Sequence, residues 1–235
     1  MKALVLAAGL GERMRPLTNT TPKPLLPAGG KPLIAWHLEK FAAMGIRDVV
    51  VNTSWLAPRF PEVLGDGERW GVRLHYSYEG PVPLETGGGM LRALPLLGDA
   101  PFLAVNGDVW TDFDFALLPH APRGVAHLAM VDNPPQHPQG DFALLEDGRV
   151  VDGGAPRFTF AGIGVYRPEL FDDWRSIIGD APGANEDPPR FRTPPLLIAA
   201  MQRGMVDGTH HAGRWTDVGT PERLAVLDAD LRKRE

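Results

Sequence analysis

Short apolar segments alternate with helix-like segments through the first half of the chain, and this alternation constrains the fold more than any other feature. The helix-like segments are residues 32–44 and 86–97. The strand-like segments around them are residues 3–8, 48–53, 72–78 and 102–108. A strand followed by a helix and a second strand forms a βαβ unit, in which the two strands are parallel. The first half therefore predicts a mostly parallel sheet.

Local signals set the expected bounds of these two helices. Pro32 suits the first turn of a helix, and Gly45 suits the position just after its end. The second helix follows the sequence "ETGGG", whose three glycines predict a loop that leads into the helix. Pro95 lacks the backbone N–H that a helix interior needs, so we expect the second helix to end near it.

The second half of the chain predicts more strands, a long loop and two helices. Strands are expected at residues 125–132 and 157–166, with a hairpin over residues 142–153. Residues 179–195 are rich in proline and glycine, which predicts a loop or a lid, and a helix follows at 195–203. Thr220 is expected to cap the last helix, with Pro221 in its first turn.

The composition excludes several classes of protein. Among 235 residues the chain has 24 Lys and Arg against 29 Asp and Glu, a formal net charge of −5, so we expect no general binding to nucleic acid or to an anionic membrane. Cysteine is absent, which excludes disulfides, thiolate catalysis and cysteine-ligated metals. The N-terminal apolar run is shorter than the ~7–15 residues of a signal peptide, and no run approaches the ~18 residues of a membrane span. These features predict a cytoplasmic protein.

A glycine loop directly follows the first strand, in the sequence "LAAGLGERMRPLTNTTPKPLLP". Gly9 and Gly11 would let backbone N–H groups approach phosphate oxygens closely. Arg13, Arg15 and Lys23 add positive charge beside the loop, which favours a polyphosphate site. An ordinary glycine turn with surface arginines is the alternative. The spacing lacks the third glycine of the dinucleotide fingerprint, which argues against a dehydrogenase.

Two aspartates follow strand-like segments in separate parts of the chain. Asp108 lies in "VNGDVW", at the end of the strand-like segment "FLAVNGD", and Asp217 lies in "WTDVGT" before a glycine turn. Two such carboxylates at the carboxyl edge of a sheet can share one Mg²⁺, a hard ion that prefers carboxylates and substrate phosphates. The alternative is that each aspartate caps a turn. The 7 histidines show no metal-binding spacing, so we assign them no chemistry.

Two glutamates and a run of glycines are candidates for reading a nucleotide base. Either Glu79 or Glu85 can accept a hydrogen bond from a base N–H, and a carboxylate suits uracil and guanine equally. The glycines of "ETGGG", including Gly88, would let a flat base lie against the backbone. A flexible loop is the alternative for this segment.

The order of these motifs resembles one family, the sugar-1-phosphate nucleotidyltransferases. Its signature L-A-A-G-x-G-[TS]-R-x-x-P-x-T, followed by P-K-P, is recognisable in the glycine loop, with Glu12 in place of the usual Thr or Ser. The resemblance covers nearly the whole chain. It implies an α/β chain with a Rossmann-like nucleotidyltransferase fold, in three α/β/α layers around a mostly parallel mixed sheet. It also implies one domain over residues 1–235, with a nucleotide-binding half at about 1–110 and a sugar-binding half with the C-terminal helix at about 111–235.

The resemblance implies a role for each candidate residue. Arg13, Lys23 and Asp108 would be catalytic, and Asp108 with Asp217 would hold the Mg²⁺ cofactor. Asn106, Gly140 and Gly162 would contact the sugar, and the nucleotide would be bound by Ala8, Gly9, Gly11, Glu12, Arg13, Lys23, Glu79, Glu85 and Gly88.

Within the family, the motifs are most similar to those of bacterial members that join UTP to N-acetylmuramate α-1-phosphate in peptidoglycan recycling. The lactyl carboxylate of that sugar needs a cation, for which Arg157, Arg190 and Arg192 are candidates. The alternatives are a mannose-1-phosphate guanylyltransferase, a glucose-1-phosphate thymidylyl- or uridylyltransferase, and a catalytically silent domain that binds nucleotide-sugar. We expect no nucleic-acid or membrane partner, and a monomer or small homo-oligomer.

Overall fold

The computed structural model describes residues 1–233. The strands are β1 (Lys2–Leu6), β2 (Pro27–Ala28), β3 (Lys31–Pro32), β4 (Asp48–Thr53), β5 (Arg73–Tyr78), β6 (Phe102–Asn106), β7 (Val109–Thr111), β8 (Ala126–Val131), β9 (Phe142–Leu144), β10 (Val150–Val151), β11 (Arg157–Tyr166), β12 (Val206–His211) and β13 (Trp215–Asp217). The helices are α1 (Ala35–Ala43), α2 (Arg59–Leu64), α3 (Glu85–Leu97), α4 (Trp174–Ile178), α5 (Pro194–Gln202) and α6 (Pro221–Arg232).

A mixed sheet runs through the molecule in the order β10-β9-β11-β6-β1-β4-β5, and β8 continues it by pairing with β11 and β12. Strands β6, β1, β4 and β5 are mutually parallel, whereas β11 is antiparallel to both β6 and β8. The sequence prediction of a mostly parallel central sheet is therefore confirmed for the first half.

Side chains of the central strands alternate between two apolar layers. Ala3 and Val5 of β1 pack in the layer that contains Phe41 of α1, whereas Leu4 packs in the opposite layer with Met90 of α3. This alternation is the period of two that an extended strand imposes. Helices therefore cover both faces of the sheet, and the predicted three-layer arrangement is confirmed.

The structure corrects the predicted bounds of α1 and α3. Pro32 does not begin α1, because Lys31–Pro32 forms a short strand paired with Pro27–Ala28 and the helix begins at Ala35. Pro95 does not end α3, which continues to Leu97 with Pro95 inside it. Its missing N–H removes one helical hydrogen bond and its ring crowds the carbonyl of Leu91, but Pro95 lies in the last turn, and α3 ends two residues after it.

The three glycines of "ETGGG" lie inside the first turns of α3 and not in a loop before it, which corrects the sequence prediction. All three are buried against close neighbours. A Cβ at Gly87 would lie 2.5 Å from the ring of Phe191, and one at Gly88 would meet the carbonyl oxygen of Pro189. A Cβ at Gly89 would lie 2.7 Å from Asn52 Nδ2 and still closer to Glu79 Oε1. The glycines therefore let other parts of the chain approach the helix closely.

A chain of buried hydrogen bonds joins the ends of three parallel strands to the start of α3. Asn52 Oδ1 at the end of β4 accepts a bond of 2.5 Å from the backbone N–H of Ala7, just after β1. Asn52 Nδ2 donates to Glu79 Oε1 at 2.5 Å, and Glu79 Oε2 accepts from the backbone N–H of Leu84 at 2.7 Å. These bonds fix the strand ends relative to one another.

The last helix packs against an early part of the chain. Thr220 caps α6 through a bond of 3.4 Å from the N–H of Arg223, as predicted. Asp228 of α6 accepts a bond of 2.8 Å from the N–H of Gly29, and a Cβ at Gly29 would lie 2.8 Å from Leu231 Cβ. No helix within residues 1–233 is long and apolar enough to cross a membrane.

His37 of α1 is a buried titratable side chain beneath the sheet. Its ring stacks on Phe115 at a centroid distance of 6.1 Å and an interplanar angle of 15°. Burial lowers the pKa of His37 to about 4, although the nearby backbone of Val109 partly opposes this change. His37 is therefore neutral in the folded protein at pH 7.

We expect Gly89→Ala to lower the free energy of unfolding by about 1–3 kcal/mol, because the new methyl group overpacks the contact with Asn52 and Glu79. Helix propensity alone predicts the opposite, a gain of about 1 kcal/mol. Urea unfolding measures the difference. Gly153→Ala is the matched control, since a Cβ there meets nothing within 4 Å. A stabilised Gly89→Ala variant would contradict the close packing of α3 on Glu79.

We expect His37 to make the protein less stable as the pH falls from 7 to 5. The unfolded chain takes up a proton near pH 6.5, whereas folded His37 takes one up only near its pKa of about 4, so acid favours the unfolded state. The loss attributable to this side chain is about 2 kcal/mol. His37→Phe should remove that part of the pH dependence of urea unfolding, whereas His120→Gln, at an exposed histidine, should not. Equal pH dependence in His37→Phe and the wild type would refute this role.

Candidate functional site

A cavity of about 700 Å³ opens at the carboxyl ends of the parallel strands β1, β4, β5 and β6. Open α/β sheets bind their ligands at this edge. The predicted site residues that line the cavity are Ala8, Gly9, Gly11, Glu12, Arg13, Lys23, Glu79, Glu85, Asn106 and Asp108. The other predicted residues, Gly88, Gly140, Gly162 and Asp217, lie outside this lining.

The glycine loop forms one wall of the cavity, and hydrogen bonds within the loop fix its conformation. Gly11 has a φ of +63°, which favours glycine, and its carbonyl oxygen accepts bonds from Met14 N at 2.9 Å and Thr18 Oγ1 at 2.8 Å. Arg13 lines the cavity, and it forms no ion pair with any residue in 1–233, so its charge is available to a ligand. Arg15 is exposed but lies outside the cavity lining.

Lys23 and Asp108 meet across the cavity although they are 85 positions apart in sequence. Lys23 Nζ lies 2.6 Å from Asp108 Oδ2, and the two side chains are 11% and 34% exposed. Pro24 packs closely on Gly107, since a Cβ at Gly107 would lie 3.2 Å from Pro24 Cγ. This contact brings Lys23 and Asp108, the neighbours of these two residues, close together. The two residues that the sequence singled out independently therefore form one ion pair.

Asp217 lies beside Asp108 in the backbone but has different side-chain partners. Strands β13 and β7 are antiparallel, with Asp217 opposite Val109, and the N–H of Val218 donates to the carbonyl oxygen of Asp108 at 2.7 Å. The carboxylate oxygen Oδ1 of Asp217 accepts from Arg223 Nη1 and, at 2.9 Å, from Gln136 Nε2. The sequence did not single out either of these partners.

The two carboxylates have a donor set that suits a hard cation. Within residues 1–233, Asp108 Oδ1 and Asp217 Oδ2 form no hydrogen bond or ion pair, so each aspartate keeps one oxygen for a ligand. No cluster of three or more metal-binding side chains occurs in that range. A Mg²⁺ bound here would therefore take further ligands from substrate phosphates and water, which is usual for this ion.

The two candidate base-reading glutamates differ in how free they are to bind a ligand. Glu79 is buried, and both of its carboxylate oxygens are occupied by the bonds to Asn52 and Leu84 described above. Burial raises the pKa of Glu79, and those two hydrogen bonds oppose the rise by stabilising the carboxylate. Glu85 has a φ of +62° and a side chain that is 41% exposed, with Arg192 Nε 3.4 Å from its Oε2. Its carboxylate is therefore the more accessible of the two.

Of the three predicted sugar contacts, Asn106 lines the cavity and Gly162 packs against it, whereas Gly140 lies elsewhere. Gly162 has a φ of +70°, and a Cβ there would lie 2.5 Å from Asn106 Nδ2, so the glycine leaves room for the side chain that reaches the cavity. Gly140 has a φ of +63° and lies against Asn133 and the backbone of Phe158. The structure thus brings Gly162 together with Asn106, whereas Gly140 belongs to a neighbouring turn.

Sequence reasoning missed several residues that shape this site. Asn52 and Gln136 act through contacts between parts of the chain that are far apart in sequence. Arg223 lies six residues after Asp217, and Thr18 lies seven residues after Gly11, so for these two residues the proximity to a motif residue was an available signal.

Comparison with known proteins identifies the family. Residues 2–150 match the family described as nucleotidyl transferase. The chain is 48% identical to the N-acetylmuramate alpha-1-phosphate uridylyltransferase of Neisseria meningitidis over 97% of each chain. It is 34% identical to the protein of the same name from Caulobacter vibrioides, over 97% of this chain and 96% of the relative.

A solved structure supports the same fold at low sequence identity. The crystal structure of a proposed glucose-1-phosphate thymidylyltransferase from Bacillus anthracis superposes with a TM-score of 0.81, at 22% identity, over 99% of this chain and 95% of the other. With the family match over residues 2–150 and the full-length relatives, the chain belongs to the nucleotidyl transferase family.

Proposed function

We propose that the chain transfers the uridylyl group of UTP to N-acetylmuramate α-1-phosphate, giving UDP-N-acetylmuramate and pyrophosphate. The observation that carries this proposal is the similarity, over 97% of the chain, to two uridylyltransferases of that name. That similarity favours this substrate pair over the mannose and glucose alternatives. Arg13, Lys23 and Asp108 line one cavity, and Asp217 lies beside Asp108 in the backbone, which argues against a catalytically silent domain.

The reaction requires the enzyme to bring two polyanions together. A phosphate oxygen of the sugar substrate attacks the α-phosphorus of UTP in line, and pyrophosphate leaves. Because the attacking oxygen is already an anion, no strong general base is needed. Arg13 and Lys23 would neutralise the phosphates, and backbone N–H groups near Gly9 and Gly11 would bind their oxygens.

Asp108 and Asp217 are the residues that would hold a Mg²⁺ ion, through the carboxylate oxygens that have no partner within residues 1–233. When bound, this ion would neutralise phosphate charge and help to align the reacting groups. The ammonium group of Lys23 has three N–H donors and contacts Asp108 with one of them, so it could also donate to a substrate phosphate. Positioning of this kind can supply about 7–11 kcal/mol in favourable cases.

The proposed product places the enzyme in bacterial peptidoglycan recycling, in the cytoplasm. We further propose that the chain acts as one domain, with the nucleotide bound by about residues 1–110 and the sugar by about residues 111–235. The cavity fits the first part of this division, because strands β1, β4, β5 and β6 lie within the first half.

A substrate panel tests the proposed function. We expect pyrophosphate release with Mg²⁺, UTP and N-acetylmuramate 1-phosphate to exceed release with dTTP, GTP, ATP or CTP, and with the 1-phosphates of N-acetylglucosamine, glucose or mannose. Greater turnover with another pair would overturn the substrate assignment while keeping the chemistry. A folded protein that releases no pyrophosphate from any pair would instead indicate a binding domain.

We expect Lys23→Ala and Asp108→Asn each to lower kcat by about 10²–10³, because the first removes a positive charge at the reacting phosphates and the second removes a carboxylate that would hold Mg²⁺. Steady-state pyrophosphate release measures this loss, and thermal unfolding checks that the variants fold. Lys31→Ala is the matched control, since Lys31 forms a similar ion pair with Glu39 at 2.5 Å but lies outside the cavity lining. A near-wild-type kcat for either cavity variant would refute the proposed roles.

A further inference from the structure

Arg223 holds Asp217 from the first turn of the last helix. Helix α6 follows β13 after a short turn, and Arg223 is the third residue of that helix. Its Nη1 atom donates a hydrogen bond to Asp217 Oδ1 and a second one, at 3.2 Å, to the backbone carbonyl oxygen of Asp217. One guanidinium group therefore fixes both the side chain and the main chain of the aspartate.

Gly219 makes room for this contact at the edge of the cavity. A Cβ at Gly219 would lie 2.6 Å from Arg223 Nη2 and 3.0 Å from Asp217 Oδ2. Gly219 is also one of the residues that line the cavity. The second carboxylate oxygen of Asp217 therefore lies against a residue of the cavity wall.

The two carboxylate oxygens of Asp217 have different surroundings. Oδ1 accepts the bond from Arg223 and another, at 2.9 Å, from Gln136 Nε2, which lies in the segment between β8 and β9. Oδ2 accepts no hydrogen bond from any residue in the described part of the chain, 1–233. Asp217 therefore offers a cation one oxygen, because the other is already bound from two sides.

Asp108 is restricted in the same way. Lys23 Nζ lies 2.6 Å from Asp108 Oδ2, and Asp108 Oδ1 accepts no hydrogen bond within the described residues. Each aspartate thus has a cation on one oxygen and keeps the other for a metal ion.

This two-oxygen donor set distinguishes between hard cations. Mg²⁺ is small and octahedral, keeps several waters, and usually takes one or two carboxylate ligands together with substrate phosphates. Ca²⁺ is larger, takes about 6–8 oxygens, and often binds a carboxylate through both of its oxygens. Two carboxylates that each offer a single oxygen therefore suit Mg²⁺ and provide few ligands for Ca²⁺.

We propose that Arg223 is a positioning residue that limits Asp217 to one metal-binding oxygen, and that this restriction makes the site prefer Mg²⁺ to Ca²⁺. The inference rests on the proposed function, because the phosphates of UTP would supply further ligands. Arg223 contributes more than Gln136, since its bond is charge-assisted whereas that of Gln136 is neutral and exposed. Without Arg223, Asp217 would be able to offer both oxygens to a larger ion.

The experiment measures how well Ca²⁺ displaces Mn²⁺ from the protein. Mn²⁺ is the probe because it takes the same oxygen ligands as Mg²⁺, and its electron paramagnetic resonance signal distinguishes free from bound ion. Ca²⁺ is titrated into protein with Mn²⁺ and UTP but no sugar phosphate, and a sample without protein gives the contribution of UTP. For Arg223→Gln, we expect the Ca²⁺ concentration that displaces half of the protein-bound Mn²⁺ to be about 10-fold lower than for the wild type.

Further variants separate the hold on Asp217 from damage to the fold. Adding Gln136→Ala to Arg223→Gln removes both bonds to Oδ1 and should lower the half-displacement concentration further, whereas Arg223→Lys keeps the charge and should retain part of the preference. Every substitution of Arg223 leaves the helix cap in place, because Thr220 accepts from its backbone N–H.

Arg232→Gln is the matched control in the same helix. It removes an ion pair of 2.9 Å with Asp228 that lies outside the cavity lining, so its Ca²⁺ titration should match that of the wild type. Thermal unfolding checks that every variant folds.

The outcomes distinguish failure of this inference from failure of the proposed function. Equal weakening of Mn²⁺ and Ca²⁺ binding, or an unchanged half-displacement concentration in the double variant, would overturn the role of Arg223 and leave the function in place. A wild type that binds no more Mn²⁺ than the protein-free sample would overturn the metal site, and this inference with it. A wild type that releases no pyrophosphate in the substrate panel but shows the expected Ca²⁺ titrations would overturn the proposed function and support the role of Arg223.

Discussion

The buried hydrogen bonds through Asn52 and Glu79 are the constraint on which the rest of the site depends. Four backbone segments meet at this point: the end of β1, the end of β4, the end of β5 and the start of α3. Each of these segments carries residues that line the cavity. Because Asn52 and Glu79 are only 2% and 3% exposed, their polar groups are satisfied by one another and by the nearby backbone, so this arrangement permits little variation in how the strand ends lie.

The two aspartates of the site, Asp108 and Asp217, are each paired before any substrate arrives. Asp108 is held by Lys23, and Asp217 is held by Arg223 and Gln136, so two carboxylates on neighbouring strands do not face each other uncompensated. Arg13 differs, because it lines the cavity but forms no ion pair within residues 1–233.

The sequence contains enough information to predict the parallel core but not the contacts that complete the site. Strand β4 was predicted at its observed bounds, and β11 likewise, because apolar runs bounded by turn residues leave few alternatives. The glycines of α3 were wrongly predicted to form a loop, because their role depends on tertiary packing: Phe191 and Glu79 lie where side chains at these positions would be. The sequence also left Glu79 and Glu85 equivalent as base readers, since only the folded chain shows that Glu79 is occupied by Asn52 and Leu84.

The pairing of β13 with β7 and the packing of α6 on Gly29 have a consequence for biosynthesis. A chain that leaves the ribosome from its N-terminus presents the glycine loop, Lys23 and Asp108 long before Asp217 and α6 exist. The edge of β7 stays unpaired until β13 has been synthesised, and the apolar surface that Leu231 covers stays exposed until α6 has been synthesised. Nascent chains therefore cannot assemble the paired aspartates, and a chain truncated before β13 would expose both a strand edge and an apolar patch to the quality-control machinery of the cell.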